Sequence, residues 1–188
     1  MKKQLLLIVS VIALLWACGS NEQKQPEEMT QQELLTQVNN LHDSLVNPSS
    51  LALSKKHAGL LMAYASTYAD KFPSDSLAPE MLYKASRAAR GLNMFSKSVA
   101  IYDKIINDYP SYEKLPECYF FKAFIYDNDI KDKEKAELAY QEVIAKFPDH
   151  RFANDAQLLI QHLHMSDEEL IKMFEEKNNA STTLEQES

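Results

Sequence analysis

The sequence predicts an all-α protein built from stacked antiparallel helix hairpins, about eight helices following an N-terminal leader. Three observations predict it. First, Phe72-Pro73, Tyr109-Pro110 and Phe147-Pro148 close successive segments 37 and then 38 residues apart, and a fixed period of this size marks a stack of repeated supersecondary units. Second, the residues ahead of two of these prolines match at helical spacing: Ser98, Tyr102, Ile105, Ile106 and Tyr109 against Ala136, Tyr140, Val143, Ile144 and Phe147. Residues three and four apart share one helical face. Third, the chain holds only 3 glycines, and its 7 prolines fall in the leader's linker or at apparent element ends, which leaves long stretches free to be helical.

The elements follow in order. Lys2 and Lys3 precede an apolar run from Leu5 to Leu15 interrupted only by Ser10. That is the length of a signal-peptide core and too short to span a bilayer. The run ends Leu15-Trp16-Ala17-Cys18-Gly19, which resembles a bacterial lipobox. The resemblance implies a lipoprotein signal peptide over 1–17, with Cys18 lipidated as the new first residue. An ordinary signal peptide with a chance cysteine is the alternative. A multi-chain lipid anchor would make membrane attachment stable. Gly19 in place of an aspartate implies delivery to the outer membrane, by resemblance to the enterobacterial sorting pattern. Residues 18–29 are polar and read as a disordered tether.

Residues 30–76 read as an opening hairpin. Thr30-Gln-Gln-Glu33 is a capping box. Leu34, Leu35, Val38, Leu41 and Leu45 form a stripe behind it, and Asn47-Pro48 breaks the helix. A second helix from about Ser50 to Lys71 carries Leu61, Ala65, Tyr68, Ala69 and Phe72. The next helix, about Leu77 to Leu92, is rich in small residues, with Ala85, Ser86, Ala88 and Ala89 permitting close approach of its partner. Gly91-Leu92-Asn93 makes the turn. After Pro148, Phe152, Ala153, Ala156, Leu159, Ile160 and Leu163 give another amphipathic helix. Ser166-Asp-Glu-Glu169 is a second capping box, opening a capping helix over 164–177 whose Leu170, Ile171 and Phe174 cover the end of the stack. The tail, 178–188, is polar and reads as disordered.

With these residues in place, the repeated unit resembles a tetratricopeptide repeat over 77–163. On that pattern Leu82 takes the first large apolar position, Ser86 the small one and Phe95 the place after the turn. Ser98 stands at the usual alanine, Tyr102 at the aromatic and Pro110 at the closing proline. Tyr119, Ala123, Tyr126, Ala136, Tyr140 and Pro148 match in the second unit. This unit departs by one extra residue in the turn near Ile130-Lys131-Asp132, and Ile105 and Val143 replace another usual alanine. The resemblance implies a solenoid of hairpins used to bind other proteins.

Enzymatic and metal chemistry find little footing. His162 and His164, two apart, point to different helical faces. The sequence has no Cys-x-x-Cys, His-xxx-His or Gly-rich phosphate loop. Cys118, among Tyr119, Phe120 and Phe121, reads as a buried inert thiol. The reading is therefore no enzyme, no cofactor and no metal. The formal charge of −7 becomes −9 once Lys2 and Lys3 leave with the signal peptide, which argues against a nucleic-acid partner.

The expected function is that of a lipid-anchored scaffold of a Gram-negative-type cell envelope, facing the periplasm and holding another envelope protein or peptide. It is similar to the repeat-bearing lipoproteins of outer-membrane assembly and to the periplasmic repeat proteins that accompany the Tol-Pal system. A structural lipoprotein linking membrane to peptidoglycan is the alternative. The resemblance implies that the first helix of each hairpin lines the concave face, with Glu80, Tyr83, Arg87 and Arg90 inward in the first unit and Phe120, Phe124 and Asp127 in the second. Tyr83, Arg87 and Arg90 lie on one ridge, and arginine suits a partner bearing carboxylates. Phe120 and Phe124 also read as core.

Overall fold

The structure is a computed structural model that describes residues 24–46, 51–166, 168–173 and 175–176. The expected signal peptide, Cys18, the Asn47-Pro48 break, Phe174 and the 178–188 tail lie outside the described residues. Seven α-helices follow one another as α1 (Gln31–Val46), α2 (Leu51–Lys71), α3 (Ala78–Gly91), α4 (Phe95–Asp108), α5 (Leu115–Ile125), α6 (Lys133–Lys146) and α7 (Arg151–Leu163). A short helical stretch beginning at Glu168 comes after them. No strand occurs among the described residues. The fold is the expected all-α stack: α1/α2, α3/α4 and α5/α6 are antiparallel hairpins, each packed on the next, and α7 covers the third.

Local chemistry sets the helix ends. The backbone N–H of Thr30 donates to Glu33 Oε2 at 2.7 Å and the Glu33 N–H to Thr30 Oγ1 at 3.3 Å, which closes the capping box. The Lys24 ammonium, ahead of these two contacts in weight, holds the Glu33 carboxyl down at about 2. The second box forms likewise, Ser166 N–H to Glu169 Oε2 at 2.7 Å. Pro79 and Pro116 stand in the first turns of α3 and α5, where the missing amide hydrogen costs nothing. Asp132 caps α6 by accepting from the Lys135 N–H at 3.0 Å.

The stack is held by aromatic side chains driven between helices. Tyr68, Tyr102 and Tyr140 are the largest fully buried side chains among the described residues. Beneath them α3 presents Ala85, Ser86, Ala88 and Ala89 to its neighbours, all buried. Ser86 and Ser98 meet across the α3/α4 crossing with hydroxyl oxygens 2.8 Å apart, and each also donates to the other's carbonyl, at 3.0 and 2.9 Å. Closely packed serines are tolerated here because every polar atom has a partner. The second repeat has Ala123 and Ala136 at these two places, both fully buried.

The opening hairpin belongs to the same series more closely than its sequence indicates. Counting back from the closing prolines, Tyr68 stands where Ile105 and Val143 stand, and Ala65 where Tyr102 and Tyr140 stand. Tyr68 and Ala65 are both fully buried. The aromatic has moved one turn along the helix and an alanine has taken its former place, so a buried ring is kept while the motif is lost.

One expectation changes, and two elements gain detail. The polar tether ends before Met29: Pro26–Glu28 form a 3-10 turn, Met29 is buried, and the Lys71 ammonium donates to the carbonyls of Glu27 and Met29 at 2.8 and 2.7 Å. The turn after α3 forms at the expected Gly91-Leu92-Asn93, with Asn93 as its left-handed residue (φ 60°), a conformation asparagine tolerates better than most. On the helix opened by Ser166, Leu170 is half-buried and Ile171 is 58% exposed.

The extra residue of the second repeat is absorbed where the sequence places it. Tyr126–Ile130 widen into a π turn at the end of α5, and Lys131 follows in the left-handed region (φ 64°). A π turn takes up one additional residue without breaking the helix. It also aims Asp127 and Asp129 in directions a regular helix would not.

Candidate functional site

Direct contacts of α1 with α3 and of α5 with α7 bring the first helices of the hairpins together on one side of the stack. The sequence-derived binding residues all come from this side, and the structure divides them.

Tyr83 and Phe120 leave the candidate set, because both are buried core residues. The Tyr83 ring meets Tyr102 and Tyr112 edge-on, at centroid distances of 6.1 and 6.4 Å. Its hydroxyl donates to Glu117 Oε2 at 2.8 Å. Burial, then this carboxylate, drives the Tyr83 phenol well above its usual range. Phe120 stacks on Phe152 of α7 at 4.4 Å and lies 5.9 Å from Tyr140. These aromatics join repeat to repeat and leave no face for a partner.

Glu80, Arg90, Phe124 and Asp127 are half-buried and internally engaged. Glu80 Oε2 accepts from the Tyr112 hydroxyl at 2.5 Å and the Lys114 ammonium at 2.8 Å. Burial acts to raise this carboxyl, but Lys114 and Tyr112 outweigh it and hold it below the usual range. Arg90 donates through Nε to Asp129 Oδ2 at 2.5 Å, with Nη2 at 3.3 Å from Oδ1, a forked pairing that suits guanidinium. The same guanidinium lies over the Phe124 ring at 4.9 Å. Arg90 thus ties the first repeat to the π turn of the second. Asp127 accepts from the Tyr140 hydroxyl at 3.3 Å.

Arg87 remains. It is exposed, stands in the C-terminal half of α3, and makes no ion pair among the described residues. It lines two clefts. One, of about 380 Å³, opens between the two repeats beside Arg90, Phe95, Phe121 and Asp129. The other, of about 470 Å³, lies among α1, α2 and α3 beside His42, Lys55, Lys84 and Leu92. Sequence reasoning missed this second cleft. Lys84 was readable as the residue one turn ahead of Arg87, but Lys55 and His42 come from the hairpin without a repeat motif.

Two segments, residues 80–112 and 117–150, match the sequence model of the tetratricopeptide repeat. Over these two segments the chain is similar to tetratricopeptide repeats. The first contains α4, nearly all of α3 and the closing turn; the second contains the π turn, α6 and most of α5. Stacked repeats of this kind present extended concave surfaces to binding partners, and both clefts flanking Arg87 are lined in part by α3, the first helix of the first matched segment. No curated protein and no solved structure matches the chain significantly.

Catalytic and metal chemistry gain nothing from the geometry. Among the described residues no group of three or more His, Cys, Asp or Glu is placed to hold a metal ion. Cys118 is buried, and burial first, then Glu117 and Glu80, push its thiol up to about 12. It is a neutral core thiol at ordinary pH. No helix among the described residues is long and apolar enough to cross a membrane.

Proposed function

We propose that this protein is a lipid-anchored scaffold of the bacterial cell envelope, serving outer-membrane assembly or maintenance from the periplasmic side. It holds a protein or peptide partner against the first-helix face of its tetratricopeptide repeats. The observation that carries the binding reading is Arg87: an unpaired guanidinium on the inner helix of a repeat, between two clefts, while its neighbours on the same ridge are spent on internal contacts. Arginine at the centre of a concave surface is a common anchor of protein interfaces. The anchoring reading is carried by the apolar run that ends at Leu15-Trp16-Ala17-Cys18.

Co-purification after mild cross-linking of envelope fractions, set beside binding to isolated peptidoglycan, tests the binding half. One protein partner recovered at a constant ratio supports the proposal. Retention by peptidoglycan with no protein partner replaces it with a wall-linking role. Mass spectrometry tests the anchor: the membrane-bound chain should begin at an acylated Cys18, and a Cys18→Ser chain that still carries lipid would refute it.

A further inference from the structure

Resting on that reading, we infer that the cleft among α1, α2 and α3 takes an acidic segment of the partner, with an apolar side chain seated between carboxylates. The charge of the protein is distributed unevenly around it. The chain carries a formal charge of −7, yet Lys55 of α2 and Lys84 and Arg87 of α3 converge on this cleft with His42 of α1. Among the described residues no carboxylate lines it.

The pairing of these cations is what sets them apart. Lys24, Lys104, Lys114, Lys122 and Lys135 each hold a carboxylate within 3.2 Å. Lys55 and Arg87 make no ion pair among the described residues, and Lys84 donates only to the neutral Asn39 Oδ1, at 2.7 Å. The carboxylates nearby answer these cations only in part. Glu80, one turn before Lys84, feels its charge but gives its hydrogen bonds to Tyr112 and Lys114. Asp43 lies 3.6 Å from His42 Nδ1 with its side chain 81% exposed. Other unpaired lysines, such as Lys97 and Lys133, do not line this cleft.

Like charges held close in an otherwise acidic protein repel one another and are relieved by an anion. The floor selects the kind of anion. Leu45, Ala58, Leu61, Ala88 and Leu92 make it apolar, which suits a side chain and wastes the contact on a bare phosphate. The cations also flank a recess between three helices, whereas a lipid surface is met by basic residues spread over an exposed face. A guanidinium and two ammonium groups around an apolar slot therefore fit a peptide in which leucine-like residues alternate with glutamate or aspartate.

The test uses the full chain in detergent micelles and fluorescence anisotropy. The probe is a fluorescein-labelled peptide, Glu-Leu-Glu-Glu-Leu-Glu, compared with its all-glutamine counterpart. The acidic peptide should bind about tenfold tighter or more, and less tightly as salt rises. Lys55→Ala/Arg87→Ala should weaken it about tenfold. Lys97→Ala/Lys133→Ala removes the same charge from elsewhere and should leave it within about twofold. Circular dichroism establishes that both variants fold. Equal losses in the two variants, or equal binding of the two peptides, would overturn the inference. Phosphatidylglycerol vesicles that bind with the same variant sensitivity, where the peptide does not, would assign the cleft to a lipid headgroup and overturn it too. A cross-linked partner retained undiminished by Lys55→Ala/Arg87→Ala would remove this cleft and leave the scaffold reading standing.

Discussion

Tyr140→Ala probes the stack where its last two layers meet. The Tyr140 side chain is fully buried. It packs against Phe120 of α5, which in turn stacks on Phe152 of α7. Truncating a buried aromatic to alanine costs about 3–5 kcal/mol, part transfer and part cavity. The hydroxyl adds little, because its 3.3 Å bond goes to Asp127, a half-exposed carboxylate that water can serve once the tyrosine is gone. The loss therefore belongs to the ring. It is a large share of the roughly 5–15 kcal/mol that holds a domain folded. For a chain of this size, about 2–4 °C per kcal/mol converts it to a fall in Tm of about 6–20 °C. Urea titration followed by circular dichroism gives the free energy, and calorimetry gives the Tm. Tyr140→Phe keeps the ring and should cost less than about 1 kcal/mol. Because each hairpin leans only on its neighbours, hydrogen exchange in Tyr140→Ala should quicken first in α6 and α7. A loss below about 1 kcal/mol for Tyr140→Ala, or equal costs for the two variants, would refute the argument that a buried ring joins the layers.

Three further outcomes are expected. The Ser86→Ala/Ser98→Ala double variant should cost less than the two single changes added together, since each single change strands part of a buried pair and the second repeat already carries Ala123 and Ala136; a double-mutant cycle by urea titration checks it. Cys118 should resist thiol reagents in the native protein at pH 8 and react at the rate of unfolding, because burial keeps the thiol protonated and out of reach; labelling faster than global opening would contradict this. Acid should destabilise the protein in part through Glu80. Its folded carboxyl titrates below the usual glutamate range, so its contribution is present above that range and is lost as pH falls through the lower, folded value; urea midpoints from pH 6 to 3 should drop less steeply in Glu80→Gln.

The fold was legible wherever the two periods of the sequence agreed. The 37–38-residue spacing of the closing prolines located the repeats, and the three-and-four spacing of Ser98, Tyr102 and Ile105 identified the buried face. The opening hairpin was legible only as a pair of amphipathic helices, because the shift of its aromatic to Tyr68 erased the motif while keeping a buried ring in the stack. The end of the tether was illegible for a related reason. Met29 is buried by contacts with distant residues, and the Lys71 ammonium fixes the chain there by bonding to backbone carbonyls, which leaves no pattern in the local sequence.

The side of the stack that carries the first helices was legible, the engagement of each side chain on it was not, and the reason lies in what a helical ridge can report. Residues 83, 87 and 90 do share a side of α3, but the side is wide enough to be shared among core, inter-repeat contact and solvent. Tyr83 falls to the core, where Glu117 accepts its hydroxyl hydrogen. Arg90 falls to the π turn, because the inserted residue of the second repeat carries Asp129 within 2.5 Å of it. Only Arg87 is left to solvent. An arginine in this position serves a partner only if the protein does not satisfy it first, so the deciding facts are the carboxylates that approach each cation. Those come from other hairpins, through turns whose path a one-residue insertion changes. The same accounting that removes Arg90 from the binding face brings Lys55 and Lys84 onto it. The inner surface is thus partitioned by charge: paired where α3 meets the second repeat, and left with unpaired cations where it meets α1 and α2. A partner that follows this partition engages the N-terminal half of the stack, while the aromatic α5–α7 end is held together by ring contacts such as Phe120 on Phe152.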